Sequence, residues 1–141
     1  MSDEEVLAFL EDQRTVTCAT LGPRGWPHLM PMWYLLKDGE IWAWTYAKSQ
    51  KVRNLERDSR ATLQVEAGDS YEKLRGVMLE CDTVIHRDTP AVQEFGEALF
   101  TRYAGNPATE MVAAQAPKRV VMQFAERRRV TWDHGKLGGV Y

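Results

Sequence analysis

The spacing of hydrophobic positions changes along the chain and divides it into helical and strand-like segments. At the N-terminus, apolar residues recur at helical spacing behind Ser2 and Glu5, which have the spacing of a capping box. The pattern predicts a short helix that ends near Gln13. The apolar residues of its predicted inner face are Val6, Leu7, Phe9 and Leu10.

Strand-like runs follow this first helix. Residues 16–21 and 28–36 are rich in apolar and β-branched side chains and flank a Gly-Pro-Arg-Gly turn at 22–25, so we expect them to pair as a hairpin. The Asp-Gly dipeptide within residues 37–40 favours a second tight turn, which leads into an aromatic strand at 41–46. The pattern therefore predicts three antiparallel strands in succession.

Helices and strands alternate in the remainder of the chain. Ser49 can cap one helix, and Asp88 or Thr89 can cap another that has Pro90 in its first turn. Further strands are predicted at 61–67, 74–86 and 119–132, with one or two helical turns at 109–115. Together these elements predict a single mainly β domain over residues 1–141, an antiparallel barrel with peripheral helices.

Composition limits the function classes. The net charge is −2 and the sequence pI is about 5.9, which argues against a protein that coats nucleic acid. The N-terminal segment is acidic and no apolar run has the length of a membrane span, so we expect a cytoplasmic protein without a membrane partner. Cys18 and Cys81 are expected to be buried thiols rather than a disulfide, because the cytoplasm is reducing.

Cations lie where the aromatic strand leads into the next helix. Lys48, Lys51 and Arg53 are near the start of that helix, where the helix dipole disfavours each cation by about 0.3–1 kcal/mol. The hydroxyls of Thr45 and Ser49, the free amides of the first turn and the Lys51 ammonium would together bind a phosphate. The alternative is an ordinary solvated helix start that Ser49 merely caps.

Large apolar side chains flank this predicted phosphate site. On one side of the strand at 41–46 lie Trp42, Trp44 and Tyr46; on one face of its expected partner lie Met30, Met32 and Tyr34, with Trp33 on the other face. A flat ring could lie against such a surface, so ring and phosphate together suggest a cofactor that carries both. The alternative is that these side chains pack a core or a dimer interface.

Other catalytic schemes receive no support from the sequence. His28, His86 and His134 have none of the spacings that are diagnostic for a metal site, so we predict no metal and expect these residues at the surface or in the core. Serine-hydrolase, P-loop and dinucleotide-binding motifs are missing from the sequence. The cluster Arg127-Arg-Arg129 is either a solvated strand end or a contact to an anionic cofactor tail or a partner subunit.

The order of these motifs resembles a known family. The stretches that carry the resemblance are Pro27-His-Leu-Met-Pro-Met-Trp-Tyr34, Asp38-Gly39, Thr45, Ser49-Gln-Lys-Val-Arg-Asn-Leu55 and Arg57-Asp-Ser-Arg60. They are similar to the pyridoxamine 5′-phosphate oxidase-like split β-barrel, an FMN-binding-like fold. The resemblance is closer to an actinobacterial flavin/deazaflavin oxidoreductase branch that uses coenzyme F420, and the tail at 132–139 also resembles that branch.

This resemblance implies a homodimer of split barrels with two cofactor sites at the subunit interface. It implies that Met30, Pro31, Met32, Trp33 and Tyr34 border the ring, that Thr45, Ser49 and Lys51 hold the phosphate with Arg53 and Asn54 nearby, and that Arg75 and Val77 approach from across the site.

The implied activity is hydride transfer from reduced F420 to an unsaturated small organic substrate. Because the coenzyme supplies the hard chemistry, we assign no catalytic residue of the chain. Surplus cations at Lys48, Arg53 and Arg57 could meet an oligoglutamate tail and therefore favour F420 over FMN. The alternatives are an FMN-dependent oxidoreductase, a non-catalytic cofactor carrier or sensor, and a dimeric structural module whose tryptophans pack the interface.

Overall fold

Seven strands and four α-helices make up the computed structural model, which describes residues 1–138. The strands are β1 (Val16–Leu21), β2 (Pro27–Met32), β3 (Leu35–Lys37), β4 (Glu40–Tyr46), β5 (Arg60–Ala67), β6 (Arg75–His86) and β7 (Arg119–Asp133). The helices are α1 (Asp3–Asp12), α2 (Gln50–Arg57), α3 (Thr89–Ala104) and α4 (Thr109–Gln115), with short 3₁₀ turns at Tyr71–Lys73, Ala116–Lys118 and His134–Leu137. The tail segment of the family resemblance ends at residue 139, outside the described residues.

The strands form one antiparallel sheet in the order β2-β1-β5-β6-β7-β4-β3. Strands β2 and β3 are consecutive in the chain, yet they lie at opposite edges of this sheet. Only Trp33 and Tyr34 connect them. The two edges must therefore approach each other, and the sheet curls into a half-barrel. The predicted mainly β, split-barrel fold with peripheral helices is confirmed.

The prediction of one strand over residues 28–36 is wrong. The run breaks at Tyr34, whose backbone groups leave the strand ladder and bond to α3: its N–H donates to the hydroxyl of Tyr103 at 3.1 Å, and its carbonyl accepts from Arg102. As a result β2 pairs with β1, whereas β3 pairs with β4. The predicted hairpin between residues 16–21 and the strand that follows them is confirmed. The aromatic strand at 41–46, however, is not the next neighbour of that hairpin in the sheet.

Two apolar cores lie on opposite faces of the sheet. The inner core fills the half-barrel and includes Ile41, Leu63, Leu79 and Phe124. The outer core lies between β4 and β7 on one side and α3 and α4 on the other; its members are Trp44, Val92, Phe95, Leu99, Val112, Ala116 and Val121. Side chains of β4 therefore alternate between the two cores along the strand.

Local signals in the sequence are confirmed closely. Ser2 and Glu5 form the predicted capping box of α1, and Asp88 caps α3 through the amide of Ala91. Asp38 and Gly39 have φ values of 53° and 76°, which matches a tight turn with two left-handed central residues. One detail of α1 differs: Leu7 is 40% exposed and does not share the buried face.

Both cysteines are free and buried, as the sequence predicted. Cys18 points into the inner core from β1, and Cys81 does so from β6. Burial raises the pKa of each thiol to about 12. These thiols are therefore protonated near neutral pH and chemically inert.

Candidate functional site

The first turn of α2 holds a buried cation without an anionic partner. Ser49 is the N-cap, and its side-chain oxygen accepts a hydrogen bond from the amide of Val52 at 3.4 Å. Lys51 follows in the first turn and is only 7% exposed. Among residues 1–138, no carboxylate lies within ion-pair distance of its ammonium. Burial of an unpaired charge is costly, so this position suits an anion that the protein alone does not supply.

The side chain of Lys51 is largely removed from water. Its ammonium approaches the thiol of Cys18 on β1, and burial lowers the lysine pKa below its ordinary value. The amides of the first helical turn add the positive end of the helix dipole, which disfavours the same charge. A bound phosphate would offset both unfavourable effects at once.

Thr45 and Ser49 stand where β4 leads into α2. Thr45 is 7% exposed and alternates with Ala43 and Ile41, so its side chain lies on the inner face of the sheet. Ser49 is half-buried and serves as the helix cap. The predicted phosphate ligands Thr45, Ser49 and Lys51 thus occupy one short strand-to-helix segment at the end of the half-barrel.

Asn54 and Arg53 have different environments on α2. Asn54 is fully buried; its amide nitrogen donates to the hydroxyl of Thr20 at 3.0 Å, and its carbonyl oxygen accepts from Gln50 at 2.8 Å. These bonds fix α2 against β1 and so hold Lys51 in place. Arg53 is exposed and has no carboxylate partner within the described part of the chain. Arg57 donates to the carbonyl of Leu21, which also ties α2 to β1.

Strand β2 presents apolar side chains at the free edge of the sheet. Met30 is 44% exposed and Leu29 is 58% exposed. Met30 is the register partner of Cys18, so it lies on the same face of the sheet that Lys51 approaches. Pro31 is exposed, and Met32 is half-buried against the inner core. The structure therefore brings an apolar strand edge and the buried cation to one side of the half-barrel.

His28 is a residue whose position the sequence did not reveal. It is the register partner of Thr20 and shares a face with Met30. Its Nδ1 atom is buried and lacks a hydrogen-bond partner among residues 1–138. The available signal was its alternation with Met30 and Met32, which places all three side chains on one face of a strand.

The remaining predicted site residues pack within the single chain. Trp33 stacks on Tyr103 with ring centroids 4.4 Å apart, and Tyr34 is fully buried with its hydroxyl donating to the carbonyl of Leu10 at 2.6 Å. Val77 belongs to the inner core. The guanidinium of Arg75 lies 5.1 Å from the ring centre of Phe9 on α1. The predicted contacts of these four residues with a cofactor stay predictions.

The aromatic side chains of β4 do not face Met30. Trp44 is 9% exposed and lies in the outer core beneath α3, so the core-packing alternative is right for this residue. Trp42 stacks on His86 with centroids 5.1 Å apart and lines a pocket of about 460 Å³ next to α3. Tyr46 is 51% exposed at the end of the strand. Helix α3 therefore covers Trp44, and Trp42 packs partly against the same outer core.

The arginine cluster on β7 is paired with acidic side chains. Arg127 contacts Asp82 at 2.6 Å, and Arg128 contacts Glu80 at 2.9 Å, in each case across to β6. Arg129 forms ion pairs with Glu126 and Asp3. These carboxylates neutralise the cluster in the single chain. The cluster lies within β7, beside a bulge in its pairing with β6, so its predicted place at a strand end is wrong.

Two further observations concern metals and membranes. Within residues 1–138, no group of three or more His, Cys, Asp or Glu side chains is arranged to hold a metal ion. None of the described helices has the length and apolar character needed to cross a bilayer.

Comparisons with known proteins agree with the fold. A family described as pyridoxamine 5′-phosphate oxidase matches residues 2–133 of the chain. A crystal structure of a conserved hypothetical protein from Mycobacterium tuberculosis is 43% identical, with a TM-score of 0.92, and the match covers 100% of this chain and 90% of that one. No curated protein matches the sequence significantly.

More distant structures share the fold alone. A structure named F420 reductase is 22% identical with a TM-score of 0.69, over 87% of this chain and 94% of that one. The heme storage protein of Vibrio cholerae is 11% identical with a TM-score of 0.71, over 92% of both chains. These names describe proteins that differ in what they bind, so the fold by itself does not define the ligand.

Proposed function

Because the chain belongs to the pyridoxamine 5′-phosphate oxidase family, we propose that it is an oxidoreductase that binds coenzyme F420 and uses it to transfer a hydride to an unsaturated small organic substrate. The observation that carries the proposal is Lys51 in the first turn of α2, a residue that is only 7% exposed and has no carboxylate partner among the described residues. A coenzyme phosphate would supply the missing anion. When bound, the coenzyme would supply the redox chemistry, and the chain would bind and orient it.

Two features support a site for a ring beside this phosphate. Met30 lies on the face of β2 that Lys51 approaches, and the free edge of β2 offers unpaired backbone groups. His28, on the same face, has a buried ring nitrogen without a protein partner in the described range. Met30, Pro31 and Met32 would border the ring there, and Thr45 and Ser49 would flank the phosphate.

The preference for F420 over FMN rests on charge. Lys48 and Arg53 are exposed next to Lys51 and have no carboxylate partner among the described residues. Arg57 contributes less, because its guanidinium already donates to the carbonyl of Leu21. Exposed cations of this kind suit a coenzyme with further anionic groups beyond its phosphate, as the oligoglutamate tail of F420 provides.

A homodimer completes the proposal. Trp26 is 71% exposed and Leu29 is 58% exposed at the β2 edge of the sheet, where a second copy of the chain would cover them. Arg75, which is exposed, would approach the coenzyme from the partner, whereas the side chain of Val77 is buried in its own chain, so only its backbone could lie near the coenzyme. The two free thiols fit a reducing compartment, which supports a cytoplasmic location.

The test is a fluorescence titration of purified protein with F420 and with FMN. We expect Lys51→Ala to weaken binding of both coenzymes by about 10- to 100-fold, because a charge-assisted contact contributes roughly 1.5–3 kcal/mol. Lys73→Ala is the matched control, since Lys73 is a surface residue paired with Asp69, and it should bind normally.

The outcomes separate the alternatives. Binding of FMN without binding of F420 would overturn the preference for F420, and binding of neither would overturn the redox proposal. Tight F420 binding without oxidation of the reduced coenzyme by a panel of quinones, enones and tetrapyrroles would instead support a carrier or sensor.

A further inference from the structure

Of the eighteen lysines and arginines among residues 1–138, eight contact carboxylates and ten, spread over several parts of the chain, do not. The paired residues are Arg60, Lys73, Arg75, Arg87, Arg127, Arg128, Arg129 and Lys136. Around the start of α2, no carboxylate pairs with Lys48, Lys51 or Arg53. Two cations from a distant part of the sequence, Lys118 and Arg119, join this unpaired group.

Strand pairing brings Lys118 and Arg119 to the start of α2. The amide of Ala47 donates to the carbonyl of Lys118 at 2.8 Å, and Tyr46 is the register partner of Arg119 at the end of the β4–β7 ladder. Lys48 is the next residue after Ala47. The backbones of the two cationic segments therefore lie side by side, and within the described residues no acidic side chain forms an ion pair with their cations.

Arg119 is held in a fixed position by contacts that leave its charge unpaired. Its guanidinium carbon lies 4.4 Å from the ring centre of Trp44 and 4.1 Å from that of Tyr46, and its Nε donates to the side-chain oxygen of Gln115 at 2.9 Å. Partial burial lowers the pKa of Arg119, although an arginine stays charged at neutral pH. An arginine ordered in this way can bind an anion with little further loss of side-chain entropy.

Lys51 and Arg119 lie on opposite faces of the sheet. Lys51 approaches Cys18 on the inner face, whereas Arg119 stacks on Trp44 and Tyr46 on the outer face. The turn at residues 47–49 separates them. One compact phosphate cannot contact both cations. A ligand that contacts both must carry a second anionic group on an arm that extends past the turn at residues 47–49.

We propose that Lys118 and Arg119 form a second anion subsite, which binds a carboxylate or phosphate carried beyond the phosphate that Lys51 binds. The subsite rests on the proposed function, because it assumes that one coenzyme occupies both positions. Two ligands have the required chemistry: F420, through the carboxylates of its glutamate tail, and FAD, through its second phosphate. FMN has neither group and ends at the first phosphate.

The experiment compares the double variant Lys118→Ala/Arg119→Gln with a control double variant, Lys73→Ala/Arg127→Gln, that removes the same charge from ion-paired positions. Four probes are titrated: F420 with its glutamate tail, F420 without glutamates, FAD and FMN. We expect the subsite variant to bind tail-bearing F420 about 10-fold more weakly than the wild-type chain does. Its affinity for tail-free F420 and for FMN should stay within about 2-fold of the wild-type value. Raising NaCl from about 50 to about 300 mM should reduce the difference.

Other outcomes would assign the subsite to a different anionic group or would overturn it. If the subsite variant loses affinity for FAD alone, the subsite is supported and is assigned to the second phosphate of FAD. An equal loss for FMN and for tail-bearing F420, or no loss for any probe, overturns it. Arg119→Lys keeps the charge and should retain most of the affinity, which separates lost charge from lost packing on Trp44.

A separate probe distinguishes failure of the subsite from failure of the proposed function. Inorganic tripolyphosphate should raise the melting temperature of the wild-type chain and of the control variant more than that of Lys118→Ala/Arg119→Gln. If wild-type protein binds neither coenzyme but shows this difference, the anion subsite stands and the coenzyme assignment falls. If tripolyphosphate stabilises all three proteins equally, the subsite is overturned whatever the coenzymes do.

Discussion

The guanidinium of Arg102 lies 4.8 Å from the ring centre of Tyr34 and also donates to the backbone carbonyl of that residue. The same guanidinium donates to the carbonyls of Glu11 at 3.0 Å and Gln13 at 2.8 Å, where α1 ends. One side chain of α3 thus caps α1 and also holds the link between β2 and β3. Because that link joins the two edges of the sheet, Arg102 stabilises the segment through which the half-barrel curls.

Arg102→Ala should lower the free energy of unfolding by about 2–3 kcal/mol, because several carbonyls lose a charged donor. Arg102→Lys should restore little of this lost free energy, since one ammonium cannot replace the planar guanidinium at all of these carbonyls. Urea unfolding followed by tryptophan fluorescence measures both. Arg87→Ala, which breaks an exposed ion pair with Glu56, is the control and should cost less than about 1 kcal/mol. Equal costs for the two alanine variants would contradict the role of Arg102.

Lys51→Met should stabilise the protein without ligand by about 1 kcal/mol, because it replaces an unpaired buried charge with an apolar side chain of similar length. The effect should depend on pH. Burial places the pKa of Lys51 in the folded state below its ordinary value of 10.5. Between the folded-state pKa and the ordinary pKa, the unfolded chain therefore binds more protons than the folded chain. Stability of the wild-type chain therefore rises with pH through that window, and its deficit relative to Lys51→Met should shrink towards pH 10.5.

This comparison needs a background without the neighbouring thiol. Burial raises the pKa of Cys18 to about 12, so the thiol titrates at alkaline pH, and it interacts electrostatically with the same charge. Both proteins should therefore carry Cys18→Ala. Thermal unfolding between neutral pH and pH 10 gives the difference, and added phosphate should stabilise the protein with lysine more than the one with methionine. A difference that does not change with pH would contradict the buried charge.

Gly96→Ala should lower the free energy of unfolding by about 1–3 kcal/mol, because the added methyl group overpacks the outer core. A Cβ atom at Gly96 would lie 2.5 Å from Cζ3 of Trp44 and 2.8 Å from a methyl carbon of Val112, so α3 could not pack as closely on β4. A double-mutant cycle with Trp44→Phe checks the cause, since the smaller ring leaves room for the added methyl group. If alanine costs the same beside tryptophan and phenylalanine, contact with Trp44 is not the reason.

Leu29→Lys should convert the proposed dimer into a monomer, because it places a charge in the apolar β2 edge. Light scattering after size exclusion measures the mass. Leu7→Lys is the matched control: Leu7 is also exposed, on α1, and its replacement should leave the mass unchanged. F420 affinity should fall together with the dimer if the coenzyme lies between subunits. A monomeric wild-type chain, or an unaffected mass in Leu29→Lys, would contradict the proposed interface.

Much of the local structure could be predicted because its causes are local. The capping box of Ser2 and Glu5, the cap at Asp88 and the turn at Asp38 and Gly39 depend on side chains within four residues of one another. The unusual position of Lys51 was visible in the same way, as a cation at the start of a helix. That Lys51 would also be buried was not, since this depends on how α2 packs on β1.

The strand prediction failed where the cause is distant. Apolar character continues through residues 28–36, but Tyr34 leaves the ladder because Arg102 and Tyr103 bond to its backbone. One signal in the sequence was available. Pro31 has no backbone N–H to donate to a neighbouring strand, so a proline in the middle of the run indicates an edge strand, not a central one.

Periodicity, capping and turn chemistry act over a few residues, so the amino-acid sequence alone was enough to identify the types of most elements, the capped helix starts and the cations where β4 leads into α2. Only the tertiary structure decided which strands became neighbours, that α3 covers Trp44, and that Lys118 and Arg119 join Lys48 beside the α2 start. The reason is physical: closure of the half-barrel depends on hydrogen bonds and packing between residues far apart in the chain, whose pairing no local pattern specifies.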